Sequence, residues 1–174
     1  MDTSLLDKTI HFAVDAHQGA ERRGKGFPYI LHPLEAAAIV ATITADQRLL
    51  AAAVLHDVVE DTDTTIEQIR NEFGDDIAQL VAHESHPQGL GWRESREHVI
   101  AHLRVASRAS QIVALGDKLS NMRAIARDYR DLGSQLWQRF NAQTAQTTTP
   151  GTTAASPPPL PPLPTPKPTK SSPT

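Results

Sequence analysis

Residues 55–64 read Leu-His-Asp-Val-Val-Glu-Asp-Thr-Asp-Thr, at the end of an apolar run, Leu49–Leu55. One histidine and four acids fall within the eight positions from His56 to Asp63. Acidic side chains are seldom buried without a counter-charge or a metal. An adjacent His56-Asp57 pair at the end of an apolar helix is therefore suited to holding a divalent cation, with Glu60 and Asp61 one turn further on. Two other positions fit the same chemistry. His32 stands immediately before Pro33, and Asp117 follows the apolar stretch Ile112–Leu115, where a carboxylate is costly unless it is paired or ligates a metal.

His32, His56, Asp57 and Asp117 make a set of two imidazoles and two carboxylates. Such a set suits Mn, Fe, Co or Zn and leaves positions open for water and a phosphate oxygen. A cation held there acidifies a water and polarises phosphorus, and Glu60 and Asp61 are placed to orient that water and move its proton. The expected chemistry is metal-dependent phosphohydrolysis.

These residues need helices to position them, and the apolar spacing supplies them. A helix is expected over residues 4–18, with Leu6, Ile10, Ala13, Val14 and His17 on one face. His17 reads either as a packed histidine or as part of the site lining. Residues 18–28 form a loop punctuated by glycines and a proline and carrying Arg22, Arg23 and Lys25, either a solvated basic loop or an anion clamp. Pro33 suits the first position of a helix running to about Thr44, which puts His32 at its N-cap. Asp46 caps a third helix, expected from Gln47 to Val59. Thr64 and Glu67 have capping-box spacing for a helix that Gly74 stops. Further helices are expected over 75–84, 92–105, 111–129 and 131–140. Asn121 lies one turn after Asp117, on its face, and Lys118 is a candidate ion-pair partner for a neighbouring acid. His83-Glu84-Ser85-His86 lacks the spacing of the zinc-protease motif. His98 and His102, one turn apart, could bind a metal, although no nearby carboxylate completes a set and Arg96 and Arg104 crowd the region.

The 174 residues amount to one domain with a tail, expected as 1–141 and 142–174. There is no cysteine, so thiolate metal sites and disulfides are excluded. The net charge of −3 and the lack of a basic stripe argue against nucleic acid as a partner. Neither a signal peptide nor a membrane-length apolar run is present, so a soluble cytoplasmic protein is expected. Ten of the thirteen prolines lie at or after Pro150, and the last acidic residue is Asp131. The segment 142–174 is expected to be disordered, with polyproline II character. Its PPPLPPLP stretch has the form that docks SH3-like grooves, but a linker-like tail is the stronger reading.

In order along the chain, AHQGAERRGKGFPYILHP, LHDVVEDTDTT and LGDKLSNMRAI resemble the hydrolase domain of RelA/SpoT-type alarmone enzymes, within the wider class of HD-domain phosphohydrolases. The resemblance covers residue 4 to about residue 140. It implies a compact all-α HD-domain bundle with one Mn2+ on His32, His56, Asp57 and Asp117, and water activation by Glu60 and Asp61. It also implies nucleotide contacts from Arg22, Arg23 and Asn121. The implied reaction removes the 3′-pyrophosphate from guanosine tetra- or pentaphosphate. Alternative readings are a phosphatase acting on another nucleotide such as NADPH, and a C-terminally truncated protein of weak or no activity. Arg23 stands where the family usually has Lys. Gly116 and Ser120 stand where Ala and His or Tyr are common. The Thr/Pro stretch replaces a further Tyr-bearing helix that helps close the nucleotide pocket in relatives, so altered pocket closure is expected.

Overall fold

Ala51, Ala52, Ala53, Val54 and Leu55 are fully buried, and the helix that carries them is the one the others pack around. The computed structural model describes residues 2–22, 25–84 and 92–136. Their helices are α1 (Ser4–Ala16), α2 (Leu31–Ala41), α3 (Gln47–Leu55), α4 (Val58–Asp61), α5 (Ile66–Phe73), α6 (Asp75–Glu84), α7 (Trp92–Val105) and α8 (Arg108–Leu132), followed by a 3-10 turn at Gly133–Gln135. The fold is all-α, and among the described residues the only bridge between extended segments joins Glu21 to Pro28. Arg23, the end of the helix expected to reach residue 140, and the segment 142–174 lie outside the described residues.

α3 touches α1, α2, α6 and α8. Its alanines allow this, because interaxial distance is set by the side chains at the contact. The Asp46 carboxylate caps its start, accepting from the Arg48 amide at 3.0 Å. Ile69, Ile77, Val81 and Val113 close the core around it.

Several boundaries differ from those expected. α3 ends at Leu55, and His56 and Asp57 form a turn before α4 starts. α2 begins at Leu31, so His32 sits in its first turn rather than at its N-cap. The capping box lies one residue later than expected: the Thr65 hydroxyl accepts from the Gln68 amide at 3.2 Å, and the Gln68 side chain accepts from the Thr65 amide at 2.7 Å. α8 starts earlier, at Arg108, where the Ser107 hydroxyl accepts from the Ser110 amide.

α2 and α8 approach closely at Gly116. A Cβ there would stand 2.8 Å from the Ala36 carbonyl oxygen and 2.8 Å from Val40 Cγ2. A glycine inside a helix costs about 1 kcal/mol relative to alanine, so Gly116→Ala would stabilise an isolated α8. In the folded chain the added methyl meets backbone, and overpacking of this kind costs about 1–3 kcal/mol. Gly116→Ala is therefore expected to lower the urea midpoint without changing the slope. A raised midpoint would show that α2 and α8 can separate freely.

Candidate metal centre

Three parts of the fold meet at one buried point. α2 brings His32, the turn after α3 brings His56 and Asp57, and α8 brings Asp117. His32 Nε2 lies 3.3 Å from Asp57 Oδ2 and 3.2 Å from Asp117 Oδ1. His56 Nε2 lies 2.9 Å from Asp57 Oδ2 and 3.6 Å from Asp117 Oδ1. His56 and Asp57 both keep αR backbone angles, so as adjacent residues at the end of α3 they reach this point from one edge of the helix. The Asp61 amide then donates to the Asp57 carbonyl at 2.8 Å and starts α4, which leaves Glu60 and Asp61 exposed one turn further on.

Hydrogen bonds behind the imidazoles fix which nitrogen faces inward. His56 Nδ1 lies 2.8 Å from the Ala53 carbonyl oxygen. A carbonyl only accepts, so Nδ1 carries a proton, and Nε2 presents a lone pair whenever the ring is neutral. His32 Nδ1 lies 2.9 Å from Ser120 Oγ, whose hydroxyl donates to Glu35 Oε2 at 2.8 Å. With its own proton so used, Ser120 accepts from His32 Nδ1–H, and Nε2 of His32 is also a lone pair. His56 Nε2 is buried and has no hydrogen-bond partner, its approach to Asp57 falling outside hydrogen-bonding geometry. With both imidazoles neutral, two inward lone pairs beside two carboxylates leave no donor between them, an arrangement that suits a divalent cation. His32, His56 and Asp57 each offer a ligand atom within 4.8 Å of the others, and Asp117 adds its oxygen at the distances above.

The carboxylates are held in the same way. Tyr29 OH donates to Asp57 Oδ2 at 2.7 Å. Asn121 Nδ2 donates to Asp117 Oδ1, and Lys118 Nζ lies 2.6 Å from Asp117 Oδ2. Burial pushes the Tyr29 phenol up, and neighbouring Asp57 and Asp61 push it further, so it stays a donor. Tyr29, Glu35 and Ser120 were not singled out as site residues in the sequence. Glu35 and Ser120 lie three positions after His32 and Asp117, so helical spacing from those candidates is the signal that points to them. His17 packs its ring 4.9 Å from that of Tyr29, and neither of its nitrogens has a partner. Burial lowers its pKa, so it lines the site as a neutral ring.

Arg22 and Lys25 of the basic loop are docked on the helices rather than free in solvent. Arg22 donates to Asn121 Oδ1, and its guanidinium lies 5.4 Å above the Tyr29 ring. Lys25 pairs with Asp128 on α8. Arg22 is thus linked through Asn121 to Asp117. A cleft of about 450 Å³ opens beside His32, lined by Arg22, Lys25, Phe27, Leu31, Glu35, Ser120 and Arg127 among others. Phe27 and Leu31 are 37% and 50% exposed, giving the cleft an apolar wall next to its cations. That volume is in the range of small-molecule sites.

A helical bundle that gathers two histidines and two aspartates at one buried point has the donor set of a metal centre in an all-α protein. More particularly, the chain belongs to the HD-domain family, whose profile matches residues 9–145. It is 36% identical over 129 residues to a guanosine-3′,5′-bis(diphosphate) 3′-pyrophosphohydrolase of Danio rerio, covering 72% of this chain and 71% of the relative. A protein of the same name from Xenopus tropicalis is 36% identical over 130 residues, covering 72% of each. A probable enzyme of that activity from Synechocystis sp. is 34% identical, but this chain spans only 20% of it. Among solved structures, a metazoan ortholog of SpoT described as hydrolyzing ppGpp superposes with a TM-score of 0.68 at 28% identity, covering 72% of each chain.

Two outcomes follow. Ser120→Ala removes the link that orients His32, and such partners behind a ligand are worth about 10–100-fold in metal affinity. The measurement is cation affinity by competition with a chelator, and an unchanged affinity contradicts the role. The second outcome concerns pH. Burial alone would lower the His56 pKa, but Asp57 and Asp117 outweigh it and push it up to about 10. Burial likewise raises Asp57 and Asp117, yet the facing histidines, with Tyr29 on Asp57 and Lys118 on Asp117, hold both well below the usual carboxylate range. The metal-free protein therefore keeps a proton on His56 at neutral pH. The stability this provides is full below 6.5 and is lost as pH rises toward about 10. A cation must displace that proton. The gain in thermal midpoint on adding a divalent cation is expected to be larger at pH 8 than at pH 6, and a gain that shrinks over that interval contradicts this.

Proposed function

We propose that this chain is a metal-dependent guanosine-3′,5′-bis(diphosphate) 3′-pyrophosphohydrolase, with residues 1–141 as the catalytic unit, manganese as the ion and the cytoplasm as its compartment. The observation that carries the reading is the convergence of His32, His56, Asp57 and Asp117 beside a nucleotide-sized cleft. The identity to relatives of that named activity supports it. His32 and His56 would hold the cation through Nε2, with Asp57 and Asp117 supplying the oxygens. When bound, the cation would acidify a water and withdraw electron density from the phosphorus.

The chain's own groups do the rest. Glu60 and Asp61, exposed on α4, orient the attacking water and take its proton. The water oxygen joins the phosphorus attached to the 3′ oxygen, that P–O bond breaks, and a proton returns to the 3′ oxygen. The products are pyrophosphate and GDP or GTP. Arg22, Arg23 and Asn121 bind the nucleotide, with Arg22 reaching it from its position over Tyr29. A planar guanidinium suits both phosphate oxygens and a base edge.

The decisive experiment incubates the full chain with guanosine tetraphosphate and Mn2+, with NADPH as the competing substrate and with bound metal quantified. Pyrophosphate and GDP are the expected products. Metal-loaded protein that releases neither overturns the proposal, and turnover of NADPH alone reassigns the site to another nucleotide. Within the same assay, Glu60→Ala is expected to keep the metal and lose about 100-fold or more of turnover, the scale of general acid–base contributions. Asp117→Ala is expected to lose the metal itself. Elemental analysis beside the rates exposes an error in either role.

A further inference from the structure

Away from this centre, His83 on α6 faces His102 on α7. Their Nδ1 and Nε2 atoms lie 3.1 Å apart, and the ring centroids are separated by 5.2 Å. The corresponding centroid separation for His32 and His56 is 5.1 Å, so the chain holds two histidine pairs at the same spacing. The ring planes differ, tilted by 35° in the α6–α7 pair and 74° in the buried pair. The nitrogen spacing bears most directly on coordination. Two nitrogens each about 2.0–2.1 Å from one ion stand roughly 3.3 Å apart in a tetrahedral arrangement and roughly 2.9 Å apart along an octahedral edge. The observed 3.1 Å lies between these. His98, one turn before His102 on α7, holds its ring nearly parallel to it, at 5° and 6.3 Å between centroids. Two histidines at i, i+4 can share an ion, so a rotation of the His98 side chain adds a third nitrogen.

We propose that His83 and His102 form a second metal site, joining α6 to α7, with His98 as its third ligand. The donors are all imidazole, which selects zinc, nickel or copper over the harder manganese. The His/Asp centre, with two carboxylates, accepts the harder ions as well. The two sites therefore differ in the ions they take. An ion held at the second one pins α7 to α6 across the segment 85–91, stabilising the folded chain by mass action.

The test is zinc titration of the chelator-treated full chain against a chromophoric competitor, repeated with Mn2+. The expected result is two zinc equivalents but one manganese equivalent. His83→Asn/His102→Asn, both at the surface and outside the proposed catalytic groups, is expected to lose one zinc equivalent and keep the manganese one. His56→Ala is expected to do the reverse, retaining the zinc equivalent that His83 and His102 hold. A wild-type chain that takes a single zinc, or a double variant that still takes two, overturns the proposal. His98→Asn is expected to weaken the second equivalent about tenfold, and an unchanged affinity removes His98 from the site. None of these readouts depends on nucleotide turnover.

Discussion

Asp57 and Asp117 come from different parts of the fold, and both lie within 3.3 Å of one nitrogen of His32. Two largely buried carboxylates this close repel each other unless positive charge stands between them. That requirement governs the interior. It explains why both imidazoles turn Nε2 inward, and why His56 takes up a proton when no cation is present. It also makes the centre an all-or-nothing assembly, since losing any one member leaves the others buried and uncompensated.

The constraint spreads outward through hydrogen bonds. His32 is oriented by Ser120, and Ser120 by Glu35, which also pairs with Arg123 and Arg127. Asp117 is oriented by Asn121, and Asn121 by Arg22 of the basic loop. Asp57 is oriented by Tyr29, over which the same arginine lies. The groups that would hold an ion and those that would read a nucleotide are thus one network. Its reach depends on α2 and α8 lying as close as Gly116 allows, because Glu35 and Ser120 project across that contact.

The sequence made His32, His56, Asp57 and Asp117 legible because buried acids and paired histidines are conspicuous in apolar surroundings. It also made most helices legible through their spacing. It did not reveal the break after Leu55. Val58 and Val59 prolong the apolar pattern of α3, and local periodicity cannot register a turn imposed by packing. The capping box fell one residue out of register because Thr64 and Thr65, followed by Glu67 and Gln68, satisfy the same pattern in either frame. Gly116 stood out only as a departure from the Ala common in the family, since nothing local shows that a neighbouring backbone occupies the space of its missing methyl. Glu35 and Ser120 were passed over because their importance lies in contacts across 85 positions.

His32 and Ser120 are 88 positions apart in the chain. Contacts of such separation carry a loop-closure cost that must be met before they contribute stability, and they govern how fast a chain folds. The centre cannot serve as a seed for folding, because α8 must dock before Asp117 joins the other three residues. During synthesis α1 to α3 are complete well before α8 emerges. A cation bound at this point would therefore seal a finished fold rather than template it.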